Sequence, residues 1–195
     1  MRQTSAPRWW DRGREYVCVR GLSRMSYIDL DQREVIKQAE IGLIRAIRYM
    51  PQFLGITQKR NYQHDKERMS FPEFVLQQSE AIGAEIAVAK HFGTPIDDLA
   101  NTNYKPLADV GTNIEVKWTR WNLGHLIISD LDRPEDIAVL VTGRSPNYRI
   151  AGWIPVAVAK KPRYRQDRTN SWWVMQESLQ PIENLLESPY GKAQI

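Results

Sequence analysis

The chain has 195 residues, 42% hydrophobic and 26% charged, the composition of a folded, water-facing protein and not of a disordered one. Its longest unbroken apolar run is the five residues 137–141, far short of the ~20 that span a bilayer, which excludes a membrane-spanning helix. A single cysteine, Cys18, excludes an intramolecular disulfide and a cysteine zinc cage, and suits a reducing, cytoplasmic location.

The net charge of +4 is unevenly spread. Residues 1–24 and residues 160–168 each carry +4, so the remainder of the chain is −4. Cations gathered into two short segments around an acidic body read either as an electrostatic footprint for a polyanion or as a solvated tail and loop.

Residues 1–24 hold six arginines and lack the apolar stretch of a secretory signal. They read as a basic, flexible arm, or as an extension upstream of a start at Met25. From 29 to about 50 the apolar residues Val35, Ile36, Ala39, Leu43, Ile44 and Ile47 recur at three- and four-residue steps. This predicts an amphipathic helix with that stripe against the core. Residues 55–69 are polar and read as a connection, which makes 25–69 a helical extension.

A second helix begins at a capping box made by Ser70 and Glu73, carries Phe74, Val75, Ile82, Ile86 and Ala89 on one stripe, and ends at Gly93 before Pro95. After about residue 103, short β-like runs take over at 114–118, 126–129, 137–142, 148–153 and 172–176, separated by turn-type clusters. A short helix is expected within 155–165. Two helices followed by hairpin-linked strands predict a mixed α/β fold with a central sheet over 70–195.

Phosphate-loop, dinucleotide and zinc-protease motifs are absent, and the histidines His64, His91 and His125 are scattered. The carboxylates are more informative. On a strand, Glu115 and Lys117 share one face while Ile114, Val116 and Trp118 share the other. Gly111-Thr112-Asn113 is turn-forming and brings Asp109 back beside that strand. Two carboxylates and an ammonium then converge, the oxygen-rich setting that Mg²⁺ prefers. A third carboxylate, Glu85, borders the apolar stripe of the preceding helix, where Gly83 and Ala84 permit close approach to the sheet. Glu80 is the weaker alternative.

This order of residues, Glu85 on a helix, then Asp109, then Glu115-Val116-Lys117 on a hairpin, resembles the PD-(D/E)XK nuclease superfamily, the restriction-endonuclease-like fold. The likeness extends over roughly residues 70–187, with Ala108 standing where the family's name has proline. It implies a central mixed β-sheet flanked by helices, with the N-terminal helix as an extension. It implies one or two Mg²⁺ (or Mn²⁺) ions held by Asp109, Glu115 and the Val116 carbonyl, with Glu85 completing the site directly or through water. Lys117 then orients or deprotonates the attacking water, or stabilises developing negative charge. The implied activity is phosphodiester hydrolysis in nucleic acid, DNA before RNA, in a bacterial or phage-infected cell, with room for a homodimer.

The expected phosphate contacts are Arg120, Lys160, Lys161, Arg163 and Arg165, with His125 near the mouth of the site. Trp121 is a candidate for base stacking and Trp118 for the core, while Trp9 and Trp10 allow either role and Trp172 and Trp173 read as core or packing before stacking. Two other readings use the same residues. In one, Glu115 and Lys117 form an ion pair with Asp109 as a turn former, on an inactive nucleic-acid-binding or assembly module. In the other, the N-terminal helix makes the chain a protein-interaction factor.

Overall fold

The computed structural model describes residues 26–54, 69–95 and 107–191. The expected basic arm with Trp9 and Trp10, the start at Met25, and the connection at 55–68 lie outside the described residues.

Two capped helices frame the architecture. In α1 (Gln32–Arg48) the Asp31 carboxylate accepts from the Arg33 and Glu34 amides, while Glu34 accepts from the Asp31 amide at 2.7 Å. A short α2 (Met50–Phe53) follows. In α3 (Phe71–Phe92) the expected Ser70–Glu73 capping box is formed. Gly93 closes the helix at φ 69°, a left-handed conformation that glycine adopts without a Cβ penalty.

The strands are β1 (Ser26–Asp29), β2 (Ile114–Thr119), β3 (Leu126–Ser129), β4 (Ile137–Arg144), β5 (Asn147–Pro155), β6 (Arg165–Gln166) and β7 (Ser171–Val174). A single-turn α4 (Val156–Ala159) occupies the expected helical region after β5. The central sheet has the order β1-β5-β4-β2 and is mixed, because β2 runs parallel to β4 while the other pairs are antiparallel. The protein is therefore α/β with a central mixed sheet. A second, antiparallel sheet has the order β3-β7-β6. The expectation of strands simply linked by hairpins fails at β3, which leaves the central sheet to pair with β7. β1 was not expected at all: four residues carry too little alternation to stand out.

The central sheet separates two cores. On one face Ile114 and Val116 of β2, with Ile137, Val139 and Val141 of β4, pack against Ile82, Ile86 and Ala89 of α3. On the other, Ala138 and Leu140 pack against Leu126, Ile128 and Val174 of the second sheet. The β2–β4 register sets Glu115 beside Ala138 and Lys117 beside Leu140. Glu115 and Lys117 thus face the second sheet, opposite Ile114 and Val116, as the alternation requires.

One expectation is reversed. The α1 stripe assigned to the core is largely solvent-facing, with Ile36 61% and Ile47 51% exposed. The buried face is instead Gln38, Ile41, Gly42, Arg45 and Ala46. Two features account for it. Gly42 sits directly on the α3 backbone, where a Cβ would come within 2.5 Å of the Ser79 Cα. The polar residues of this face also find partners: the Ser145 hydroxyl donates to Gln38 Oε1 at 2.9 Å, and Arg45 reaches Glu85. Close approach and buried pairing outweigh the periodic stripe.

Candidate functional site

The hairpin before β2 builds the site. Val110 bridges Ile114, the Asp109 amide donates to the Ile114 carbonyl at 2.9 Å, and Gly111 turns the chain at φ 60°. The turn is tied to the sheet where the Ile137 amide donates to the Asn113 carbonyl at 2.8 Å. Asp109 folds back as expected, and its Oδ2 accepts from the Val116 amide at 2.8 Å.

Burial, then the charges of Glu85 and Glu115, push the Asp109 carboxyl well above its usual range, with Lys117 and Arg45 opposing. Asp109 thus feels a carboxylate from α3 on one side of β2 and one from β2 itself on the other. Glu85 is the helical carboxylate of this group. Glu80 has a different task, accepting from the Ser145 amide at 3.0 Å and the Tyr148 hydroxyl at 2.8 Å, which fastens α3 to the β4–β5 turn. Gly83 gives Tyr148 the space it needs, since a Cβ there would lie 2.1 Å from the tyrosine oxygen.

Two cations hold the cluster. Arg45 donates from Nη1 to Glu85 Oε1 at 2.6 Å and from Nη2 to Oε2 at 2.8 Å, a bidentate buried pair. Lys117 Nζ donates to Glu115 Oε1 at 2.7 Å and to Asp132 Oδ1 at 2.9 Å. Burial works against the Lys117 charge, but Glu115 and Asp132 outweigh it and its pKa is raised. Lys117 is therefore protonated at neutral pH.

Sequence reasoning missed Arg45 and Asp132. Arg45 lies in a helix read by its apolar residues, and its charge suggests a solvent face. Asp132 lies in the turn after β3, fifteen positions from Lys117, with no periodic signal. It is nearly inaccessible, and its Oδ2 accepts from the Ser129 amide at 2.7 Å and the Ser129 hydroxyl at 3.1 Å. Lys160 braces that turn, donating to the carbonyls of Asp130 at 3.0 Å and Asp132 at 2.6 Å. Nearby, Arg133 and Asp136 form a second ion pair at 2.6 Å.

The donor chemistry at Asp109, Glu115 and the Val116 carbonyl is all hard oxygen, which fits Mg²⁺ or Mn²⁺ bound through two carboxylates with water completing the shell. Among the described residues, no three His, Cys, Asp or Glu side chains are arranged as a metal cage. Glu85 has both oxygens on Arg45, and its charge acts on Asp109.

The other candidates separate. Arg120 stacks on Trp121 at 4.7 Å, and His125 packs on Trp173 at 5.7 Å. Lys160 is occupied by the turn carbonyls. Arg165 is held over Trp172 at 4.4 Å, with Asp130, Asp167 and Asn170 around it. Lys161 and Arg163 face solvent. Arg163 lies over Tyr164 and lines a pocket of about 510 Å³ that contains none of Glu85, Asp109, Glu115 or Lys117. Trp118 packs at the helix-side core as expected, its Nε1 donating to the Gly143 carbonyl at 3.0 Å.

Among the described residues no helix is long and apolar enough to cross a membrane. Comparison with family models, with curated proteins and with solved structures returns no match.

Proposed function

We propose that the protein is a divalent-metal-dependent nuclease of the PD-(D/E)XK type, acting on DNA in preference to RNA. The observation that carries the reading is geometric: the hairpin folds Asp109 onto the Val116 amide at 2.8 Å, beside the strand on which Lys117 Nζ lies 2.7 Å from Glu115 Oε1. Glu85 and Glu115 are each held by a cation, Arg45 and Lys117, while burial and the charges of both glutamates push the Asp109 carboxyl above its usual range, an arrangement of perturbed acids that supports a functional site.

Bound at Asp109, Glu115 and the Val116 carbonyl, Mg²⁺ or Mn²⁺ would supply an activated water and neutralise charge on the scissile phosphate. The chain's own residues have distinct roles. The Val116 amide fixes the orientation of Asp109. Lys117, held charged by Glu115 and Asp132, is suited to stabilise negative charge on phosphate oxygens rather than to take a proton from water. Glu85, oriented by Arg45, supports Asp109. Arg120, Lys161 and Arg163 are the solvent-facing cations suited to phosphate contacts.

A second reading, an inactive binding module, draws on the ion pairs themselves: Arg45 occupies both Glu85 oxygens, and Lys117 closes on Glu115. Incubation with covalently closed single- and double-stranded circles, in Mg²⁺ or in EDTA, separates the two. The nuclease reading expects Mg²⁺-dependent cutting that Asp109→Ala or Lys117→Ala reduces by about 100-fold or more in folded protein. Undiminished cutting by the Asp109→Ala, Glu115→Ala double variant contradicts it.

A further inference from the structure

The loop between β2 and β3 presents large apolar side chains to solvent, and it is not slack. Trp121 is 63% exposed and Leu123 87%. Beneath them, Gln176 Nε2 donates to the carbonyls of Asn122 and Gly124, both at 2.8 Å, and Arg149 Nη2 donates to the Asn122 carbonyl at 2.5 Å. The Gly124 amide closes a tight turn on the Trp121 carbonyl at 2.9 Å. Next to this loop on β7 and beyond, Trp173 and Met175 are exposed, with His125 packed on the Trp173 ring.

A braced loop that holds a tryptophan and a leucine in water has a surface built for contact, because burying them would recover the hydrophobic cost. Its charge selects the partner. Residues 118–128 and 171–176 contain no aspartate or glutamate, while Arg120 lies over the Trp121 ring. Aromatic rings beside a cation, without acids, are the chemistry that stacks nucleobases and holds the adjoining phosphate. The position suits a substrate: Trp121 follows Lys117 by four residues, in the turn that continues from the end of β2.

We propose that Trp121, Leu123 and Trp173, with Arg120, form a stacking platform for unpaired bases, so that the substrate enters as single-stranded or frayed nucleic acid. This rests on the nuclease reading for its purpose but is tested without cleavage. Binding of a fluorescein-labelled oligo(dT) and of a blunt duplex is measured by anisotropy in EDTA, on the full chain. Trp121→Ala is expected to weaken single-strand binding by about tenfold or more, with Trp121→Phe recovering most of it and duplex affinity changing by less than about twofold. Leu123→Ala, at a solvent-facing position, provides a second variant with a smaller loss in the same direction.

No measurable single-strand binding by the wild type, or equal affinities for Trp121→Ala and wild type, overturns the platform. So does a wild-type dimer in sedimentation that Trp121→Ala converts to monomer, since the patch then joins two copies. Tight single-strand binding without Mg²⁺-dependent cutting overturns the nuclease reading and leaves the platform standing.

Discussion

Helices α1 and α3 both carry a regular apolar stripe, and the fold treats them in opposite ways. α3 lies on the central sheet and buries its stripe, including Phe74, Ile82, Ile86 and Ala89. α1 lies on another helix and buries Gln38, Gly42 and Arg45, leaving Ile36, Leu43 and Ile47 in water. Against a broad apolar sheet, area removed from water decides which face turns inward. Against a neighbouring helix, close approach at Gly42 and the Arg45–Glu85 pair decide instead. The orientation of α1 thus serves the acidic site: it delivers a guanidinium to a carboxylate that α3 would otherwise bury alone.

The largest test of that contrast removes the guanidinium. Arg45→Met leaves Glu85 buried without its cation and is expected to cost about 3–5 kcal/mol in urea unfolding. Adding Glu85→Met is expected to restore most of that loss, because the double variant buries no unpaired charge. If Arg45→Met unfolds like the wild type, α1 owes its orientation to something other than this pair.

Asp109→Asn sharpens the same point from the site itself. The native state holds the Asp109 proton above the ordinary pKa of 3.8, so it binds more protons than the unfolded chain as pH rises from about 4 through the raised value. Stability due to this group therefore falls over that window. The asparagine variant lacks the slope, matching the wild type near pH 4. Near neutral pH it is more stable in metal-free buffer by about 1 kcal/mol, or about 2–4 °C in Tm. Parallel pH curves for the two proteins would contradict that crowding of Asp109.

The smallest effect belongs to the exposed stripe. Leu43, 45% exposed, is expected to tolerate Leu43→Glu within about 0.5 kcal/mol, whereas Ile41→Ala costs about 2–5 kcal/mol. Equal costs at the two positions would mean that α1 is turned the other way.

The parts of the fold written in local chemistry were legible in the sequence. The Ser70–Glu73 box, the Gly93 cap, the turn at Gly111 and the alternation through Glu115-Val116-Lys117 each depend on a few adjacent residues, and each is formed. Glu85 was legible because a carboxylate beside an apolar stripe requires an explanation. Arg45, Asp132 and the outward face of α1 were not, because each is defined by a partner distant in the chain. Arg45 answers Glu85 forty residues away, and Asp132 answers Lys117 from another sheet's connection. Lys160 shows the converse: a lysine in a basic run read as a phosphate contact, yet its ammonium is used on the carbonyls that shape the Asp132 turn.

The central claim is that Asp109 and Glu115 form a divalent-cation site, and direct titration of Mn²⁺ into the metal-free protein by calorimetry tests it. The account predicts saturable binding that is lost in the Asp109→Ala, Glu115→Ala double variant, while circular dichroism shows the fold retained. Absence of binding to the wild type, or binding that the double variant preserves, would contradict it.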